Sequence, residues 1–127
     1  GYIKTESGFG QTNIFKLPII GGSDGGLFTC AQDLDILWRS VFDGRVLSEN
    51  MLQAFLQPQV IRNDGKSYGL GVYRFDRGKN TVFYAVGSDF GVDFFTAYFS
   101  EKKISVSALG NTEINTFPLL HMLLSES

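Results

Sequence analysis

Two stretches of the sequence, Val82-Phe83-Tyr84-Ala85-Val86 and Phe94-Phe95-Thr96-Ala97-Tyr98-Phe99, are apolar at nearly every position rather than at every second one. Both are rich in the aromatic and β-branched residues that suit a pleated strand, and strand side chains alternate between the two faces of a sheet. Each stretch therefore carries apolar surface on both faces. A sheet built on them must be covered above and below at its centre.

The remainder of the chain offers the covers. Residues 68–75, 81–87, 93–100 and 103–110 share the strand period and are separated by polar or Gly-containing turns, which predicts an antiparallel meander of about four strands. Over residues 114–124, Pro118 suits a first helical turn, and Leu119, Leu120, Leu123 and Leu124 give a broad apolar surface that should pack on one face of the sheet. Earlier, Thr29-Cys30-Ala31-Gln32 fits a capping box, and Leu34, Leu37, Trp38 and Val41 follow at helical spacing, predicting a helix over residues 31–42. Asp43-Gly44 closes it. Ser48 then caps a second helix whose stripe of Met51, Leu52, Phe55 and Leu56 ends at Pro58. These two helices, or a segment outside the sequence, should cover the other face.

Residues 1–26 show little periodicity and end in Gly21-Gly22-Ser23-Asp24-Gly25-Gly26, so an extended, loop-rich lead-in is expected. With 127 residues and 43% hydrophobic content the chain has material for one core. The expected fold class is α+β: an antiparallel sheet of about four strands, two short helices before it and a C-terminal helix packed on it. The expected organisation is a single domain over residues 1–127, with a lead-in at 1–26, a helical pair at 27–58 and the sheet with its last helix at 68–127.

Charge and cysteine content narrow the function. Eleven basic and 13 acidic residues give a net charge of -2, with no basic run able to neutralise a row of phosphates, so no nucleic-acid partner is expected. The single cysteine, Cys30, excludes an internal disulfide and a multi-cysteine metal site, and no cofactor or metal is expected. No apolar run reaches the roughly 20 residues that span a bilayer. The first residues, Gly1-Tyr2-Ile3-Lys4, lack a Met and an apolar leader, and read as processed or as part of a longer product.

Residues that could carry chemistry mostly have structural readings. Ser100-Glu101-Lys102-Lys103 matches Ser-x-x-Lys, but falls in an expected strand-to-strand turn, where the lysine is not stacked one helical turn from the serine. His121, the single histidine, sits in an apolar helix far from any nucleophile and acid. Asp33 and Asp35 lie two apart on one helix and diverge, with Asp33 suited to the helix dipole. Asp89 and Asp93 flank Gly91 in a turn. Cys30 near a helix start has no His or Asn to activate it. Neither Gly8-Phe9-Gly10 nor Gly69-Leu70-Gly71 has the strand and helix context of a phosphate cradle. The residues by themselves describe no self-contained enzyme.

The order of several segments, however, resembles the last third of serine beta-lactamases and penicillin-binding-protein-like hydrolases, in particular the class C beta-lactamase and D-alanyl-D-alanine carboxypeptidase/esterase branch. Asp24-Gly25-Gly26-Leu27-Phe28-Thr29-Cys30-Ala31-Gln32-Asp33-Leu34 is similar to that family's Gly-Gly-Leu-x-Ser/Thr-Thr-x-x-Asp-Leu helix start. Gly44-Arg45-Val46-Leu47-Ser48 with Met51 resembles its next helix start, and Tyr68-Gly69-Leu70-Gly71-Val72 its Tyr-Gly-Leu-Gly strand. Ala85-Val86-Gly87-Ser88 falls where the family has His-x-Gly or Lys-Thr-Gly on a strand lining the substrate cleft. Phe90-Gly91-Val92-Asp93-Phe94 and the strand ending at Asn111 follow in order.

The resemblance implies a C-terminal portion of such a hydrolase, with Ala85, Val86, Gly87 and Ser88 as the cleft strand and no catalytic residue in this chain. The family's Ser-x-x-Lys nucleophile and Tyr-x-Asn would precede Gly1. Ala85 replaces the family's cationic residue, which normally helps bind the substrate carboxylate or oxyanion, while Gly87 keeps the small residue that lets a substrate backbone approach. The implied partners are the N-terminal half of the same fold or a second copy, with a peptidoglycan peptide or beta-lactam as ligand of a longer parent. The implied location is the bacterial envelope or the outside of the cell. A scaffold that binds a peptide or protein without turnover is the alternative.

Overall fold

The computed structural model describes residues 1–62, 64–112 and 114–126. The chain begins with a hairpin of β1 (Tyr2–Thr5) and β2 (Gly8–Thr12), followed by a 3-10 turn at Asn13–Phe15. The hairpin occupies the first half of the expected extended, loop-rich lead-in at 1–26. Tyr2 bridges Thr112 and its N–H donates to the Asn111 carbonyl at 2.7 Å, so the hairpin docks on a segment more than a hundred residues away, which local periodicity cannot reveal.

Helix α1 (Ala31–Phe42) has the expected bounds but a different cap. Cys30 is the N-cap residue and gives no side-chain cap bond, while the Thr29 hydroxyl turns to the Cys30 carbonyl at 3.4 Å. The capping box is thus out of register by one residue, with Thr29 outside the cap and Asp33 taking the acidic first-turn position that complements the dipole. Helix α2 (Glu49–Leu56) follows its expected chemistry: the Ser48 hydroxyl accepts from the Met51 N–H, and the helix stops just before Pro58.

The main sheet has six antiparallel strands in sequential order where about four were expected: β3 (Val60–Ile61), β4 (Lys66–Tyr68), β5 (Tyr73–Arg77), β6 (Asn80–Asp89), β7 (Val92–Phe99) and β8 (Ile104–Gly110). The expected strand at 68–75 is in fact a reversal from β4 into β5 through Gly69-Leu70-Gly71. Gly71 turns at φ 95°, and a Cβ on Gly69 would lie 2.5 Å from the Phe55 carbonyl, to which the Leu70 N–H donates at 3.1 Å. The turn is locked against the end of α2, and only glycine fits there.

Both faces of β6 and β7 are covered. On one, Val82, Tyr84, Phe95, Ala97 and Phe99 pack with Leu120 and Leu124 of α3 (Phe117–Glu126). Asp93, 5% exposed, anchors the start of that helix by accepting from both the Thr116 N–H and the Thr116 hydroxyl. On the other face Trp38, Val72, Phe83 and Tyr98 pack with Phe42, Phe55 and Leu56, so α1 and α2 are the second cover. Phe42 stacks on Tyr98 with ring centroids 4.3 Å apart. The sheet ends at β8, whose outer edge pairs with no strand among the described residues.

Candidate substrate-cleft strand

Ala85, Val86, Gly87 and Ser88 occupy the second half of β6, paired to β7 in the register Ala85 with Thr96, Val86 with Phe95, Gly87 with Phe94 and Ser88 with Asp93. On its other side β6 pairs with β5 only as far as Tyr84, opposite Tyr73. From Ala85 to Asp89 the strand is therefore laddered on one side and pairs with no strand on the other among the described residues. An open edge offers alternate N–H and C=O groups to an extended chain laid alongside it.

Pleating directs Ala85 and Gly87 toward the α1 face and Val86 toward α3. Ala85 presents no polar group. Gly87 has a packing role: a Cβ placed there would lie 2.4 Å from Cε1 of Phe94, so the Phe94 ring occupies the space that a side chain would need. Within the chain, then, the glycine accommodates an aromatic ring of its own partner strand.

Beside this strand, under α1, runs a buried hydroxyl chain that sequence reasoning passes over. The Trp38 indole N–H donates to the Thr96 hydroxyl at 2.7 Å, and Thr96 and Ser107 share a hydrogen bond at 2.7 Å. Nearer the β8 edge, the Ser105 hydroxyl donates to Asp35 at 2.5 Å, and Asp35 also pairs with Arg39 at 2.9 Å. The Arg39 bond, then that from Ser105, hold the Asp35 carboxyl below its ordinary value. A period-2 run of hydroxyls, Ser105 and Ser107 on a strand facing Thr96, is the signal that could have exposed this network.

Of the remaining candidates, Asp89 ends β6 and Asp93 pairs with Ser88 across the ladder, while Ser100, Lys103, His121 and Cys30 lie on other elements. The Ser100 hydroxyl donates to the Thr81 carbonyl at 3.0 Å and Lys103 takes a positive φ of 54° in the β7–β8 turn, so Ser-x-x-Lys is a turn here. Asp89 accepts from the Phe90 N–H at 2.7 Å, a turn contact, while Asp93 holds α3. His121 lies on α3, across the sheet from Ala85 and Gly87, and Cys30 is exposed. No group of three or more potential metal ligands occurs among the described residues.

No family model matches the chain, and no curated protein matches it. Solved structures do. A penicillin-binding protein from Bacillus halodurans is similar over 100% of this chain at 30% identity with a TM-score of 0.87, and this chain covers 39% of it. A D-stereospecific amidohydrolase from Streptomyces sp. matches over 65% of this chain and 25% of its own at 20% identity and TM-score 0.58. A D-amino acid amidase from Ochrobactrum anthropi SV3, solved with D-phenylalanine, matches over 74% and 35% at 16% identity and TM-score 0.55. The last two share the fold; the first shares sequence as well. The chain spans well under half the length of these proteins, and over that span it shares a C-terminal portion of the fold seen in the penicillin-binding protein and the two amidases.

Proposed function

We propose that this chain is the substrate-aligning portion of an acyl-transfer hydrolase, in which the open edge at Ala85, Val86, Gly87 and Ser88 receives an extended peptide-like substrate and the nucleophile comes from the rest of the fold. The observation that carries the reading is the ladder of β6, which is closed by β7 but released by β5 after Tyr84. Main-chain pairing along a strand edge gives affinity without asking for particular side chains, which suits a strand carrying Ala85 and Gly87. Cell-wall peptide, beta-lactams or short esters are the proposed substrate class, and the bacterial envelope or exterior the proposed location. No helix among the described residues is long and apolar enough to cross a membrane.

In this reading the chain alone performs no acyl transfer. Ser100, the one serine in a Ser-x-x-Lys string, donates to the Thr81 backbone carbonyl from a strand-to-strand turn, where the lysine is not stacked one helical turn away. Incubation with a labelled penicillin should leave the intact mass unchanged, and stoichiometric acylation of any serine would overturn this. The rest of the fold, or failing that a second copy, is the proposed partner, docking along the outer edge of β8. That edge is seven residues long, with Ile104 50% exposed. Sedimentation of the chain alone should show association, and a strictly monomeric chain with protected β8 amides would count against it.

A specific feature favours the second reading, a scaffold that binds without turnover. Ala85 leaves the cleft strand without a cation to meet a carboxylate or a developing oxyanion. Ala85→Lys in a protein reconstituted with the rest of the fold separates the two readings. A gain in acylation rate says that only the cation was missing, and persistent binding without acylation supports the scaffold.

A further inference from the structure

On the face of the sheet opposite Ala85 and Gly87, a cavity of about 170 Å³ lies between the β4–β6 strands and α3. Its floor is apolar, formed by Val86, Leu120 and Leu124, and one wall is the stacked pair Tyr73 and Tyr84, with ring centroids 5.0 Å apart. Phe117, Arg62, Lys66 and His121 complete the lining. Asp64 lies 3.6 Å from Arg62 and 3.4 Å from Lys66, so one carboxylate faces two cations and leaves net positive charge.

The Tyr84 ring is buried, at 5% exposure, yet its hydroxyl has no protein partner among the described residues. No side-chain polar atom among the described residues is both sealed from solvent and unsatisfied, so the hydroxyl is not sealed, and Tyr84 lines this cavity. Burial pushes the phenol up to about 12, and it stays a hydrogen-bond donor at neutral pH. A donor lining a small cavity with an apolar floor and excess positive charge calls for a molecule with an apolar body and an anionic end. A cavity of about 150 Å³ holds one benzene ring, which fixes the size of that body.

We infer that this cavity binds a small organic acid, one ring or its aliphatic equivalent bearing a carboxylate, with the body against Tyr73 and Val86 and the carboxylate met by Lys66, Arg62 and the Tyr84 hydroxyl. The site shares the Val86 side chain with the proposed cleft strand but lies on the opposite face from Ala85 and Gly87, and it stands if that reading fails.

Benzoate and the neutral benzamide, titrated into the chain and followed by the tyrosine-ring and His121 imidazole resonances, test it. Benzoate should perturb Tyr73, Tyr84 and His121 and bind about tenfold tighter than benzamide, as expected for one hydrogen-bonded charge pair. Lys66→Gln, at a partly exposed position, should bring benzoate down to the benzamide level while benzamide binding persists, which also shows that the variant is folded. Tyr84→Phe should weaken benzoate a few-fold. Equal binding of the two compounds, an unchanged preference in Lys66→Gln, or shifts that miss Tyr84 and His121 would each overturn the assignment.

Discussion

The two faces of the central sheet are held by different physics, although the same strands build both. Under α3, beyond the Asp93–Thr116 anchor at the start of the helix, the contacts are apolar, with Phe95 and Val82 each 1% exposed and Leu120 and Leu124 closing the layer. Under α1 the aromatic packing of Trp38, Phe42, Phe83 and Tyr98 is threaded by the hydroxyl chain from Trp38 through Thr96 to Ser107. Apolar burial is non-directional and scales with area, so the α3 face gains stability without fixing a single arrangement of groups. Buried hydrogen bonds add little net stability but are costly to leave unmade, so they fix the angle and depth at which α1 sits. The face toward which Ala85 and Gly87 point is the one whose aromatic layer is threaded by a side-chain hydrogen-bond chain.

Phe95 and Thr96, adjacent on β7 and pointing to opposite faces, make the comparison testable. Phe95→Ala should be the most damaging change, costing about 3–5 kcal/mol because it opens a cavity in the apolar layer, measured by denaturant unfolding. A loss below about 1 kcal/mol would mean that the layer collapses around the gap and is less tightly packed than described. Thr96→Val should cost about 1–3 kcal/mol by stranding the Trp38 N–H and the Ser107 hydroxyl, whereas Thr96→Ser keeps the bonds and should recover most of it. If Val and Ser behave alike in unfolding and in Trp38 fluorescence, the hydroxyl chain does not position α1.

Smaller effects sharpen the picture at the edge. Gly87→Ala should cost about 1 kcal/mol, since the Phe94 ring can swing away from the new methyl group, and ring resonances of Phe94 should shift while those of Phe95 do not. The smallest change is electrostatic. Because the folded Asp35 carboxyl sits below its ordinary value of 3.8, its contribution is present above that pH and is lost as the pH falls through the lower folded value. The Asp35 side chain is partly exposed, so the effect should be slight, weaken with salt, and vanish in Asp35→Asn. An acid-unfolding curve unchanged by that substitution would show that the Arg39 and Ser105 contacts are energetically silent.

Legibility in the sequence followed the range of the interactions. Helix α1 was readable to its bounds because Leu34, Trp38 and Val41 repeat locally, and α2 because Ser48 and Pro58 mark its ends within its own residues. The need for two covers was readable because a run apolar at successive positions has no solvent-facing side. What could not be read lies in contacts between distant segments. Tyr2 meets Thr112, Gly69 tucks under the Phe55 carbonyl, and Phe94 folds over Gly87, each turning an unremarkable residue into a fixed point.

The sequence by itself determined that the chain forms an α+β layer structure with a doubly covered antiparallel sheet, since residue periodicity and end-capping chemistry act over a few positions along the chain. Only the tertiary structure decided that β5 leaves β6 at Tyr84 and opens the edge beside Ala85 and Gly87, and that Tyr84 lines a cavity with Arg62, Lys66 and His121 on the other face. Both depend on where strands end relative to one another in space. That is set by the Gly69-Leu70-Gly71 reversal docking on α2 and by α3 held at Asp93, contacts whose partners lie up to 23 residues apart.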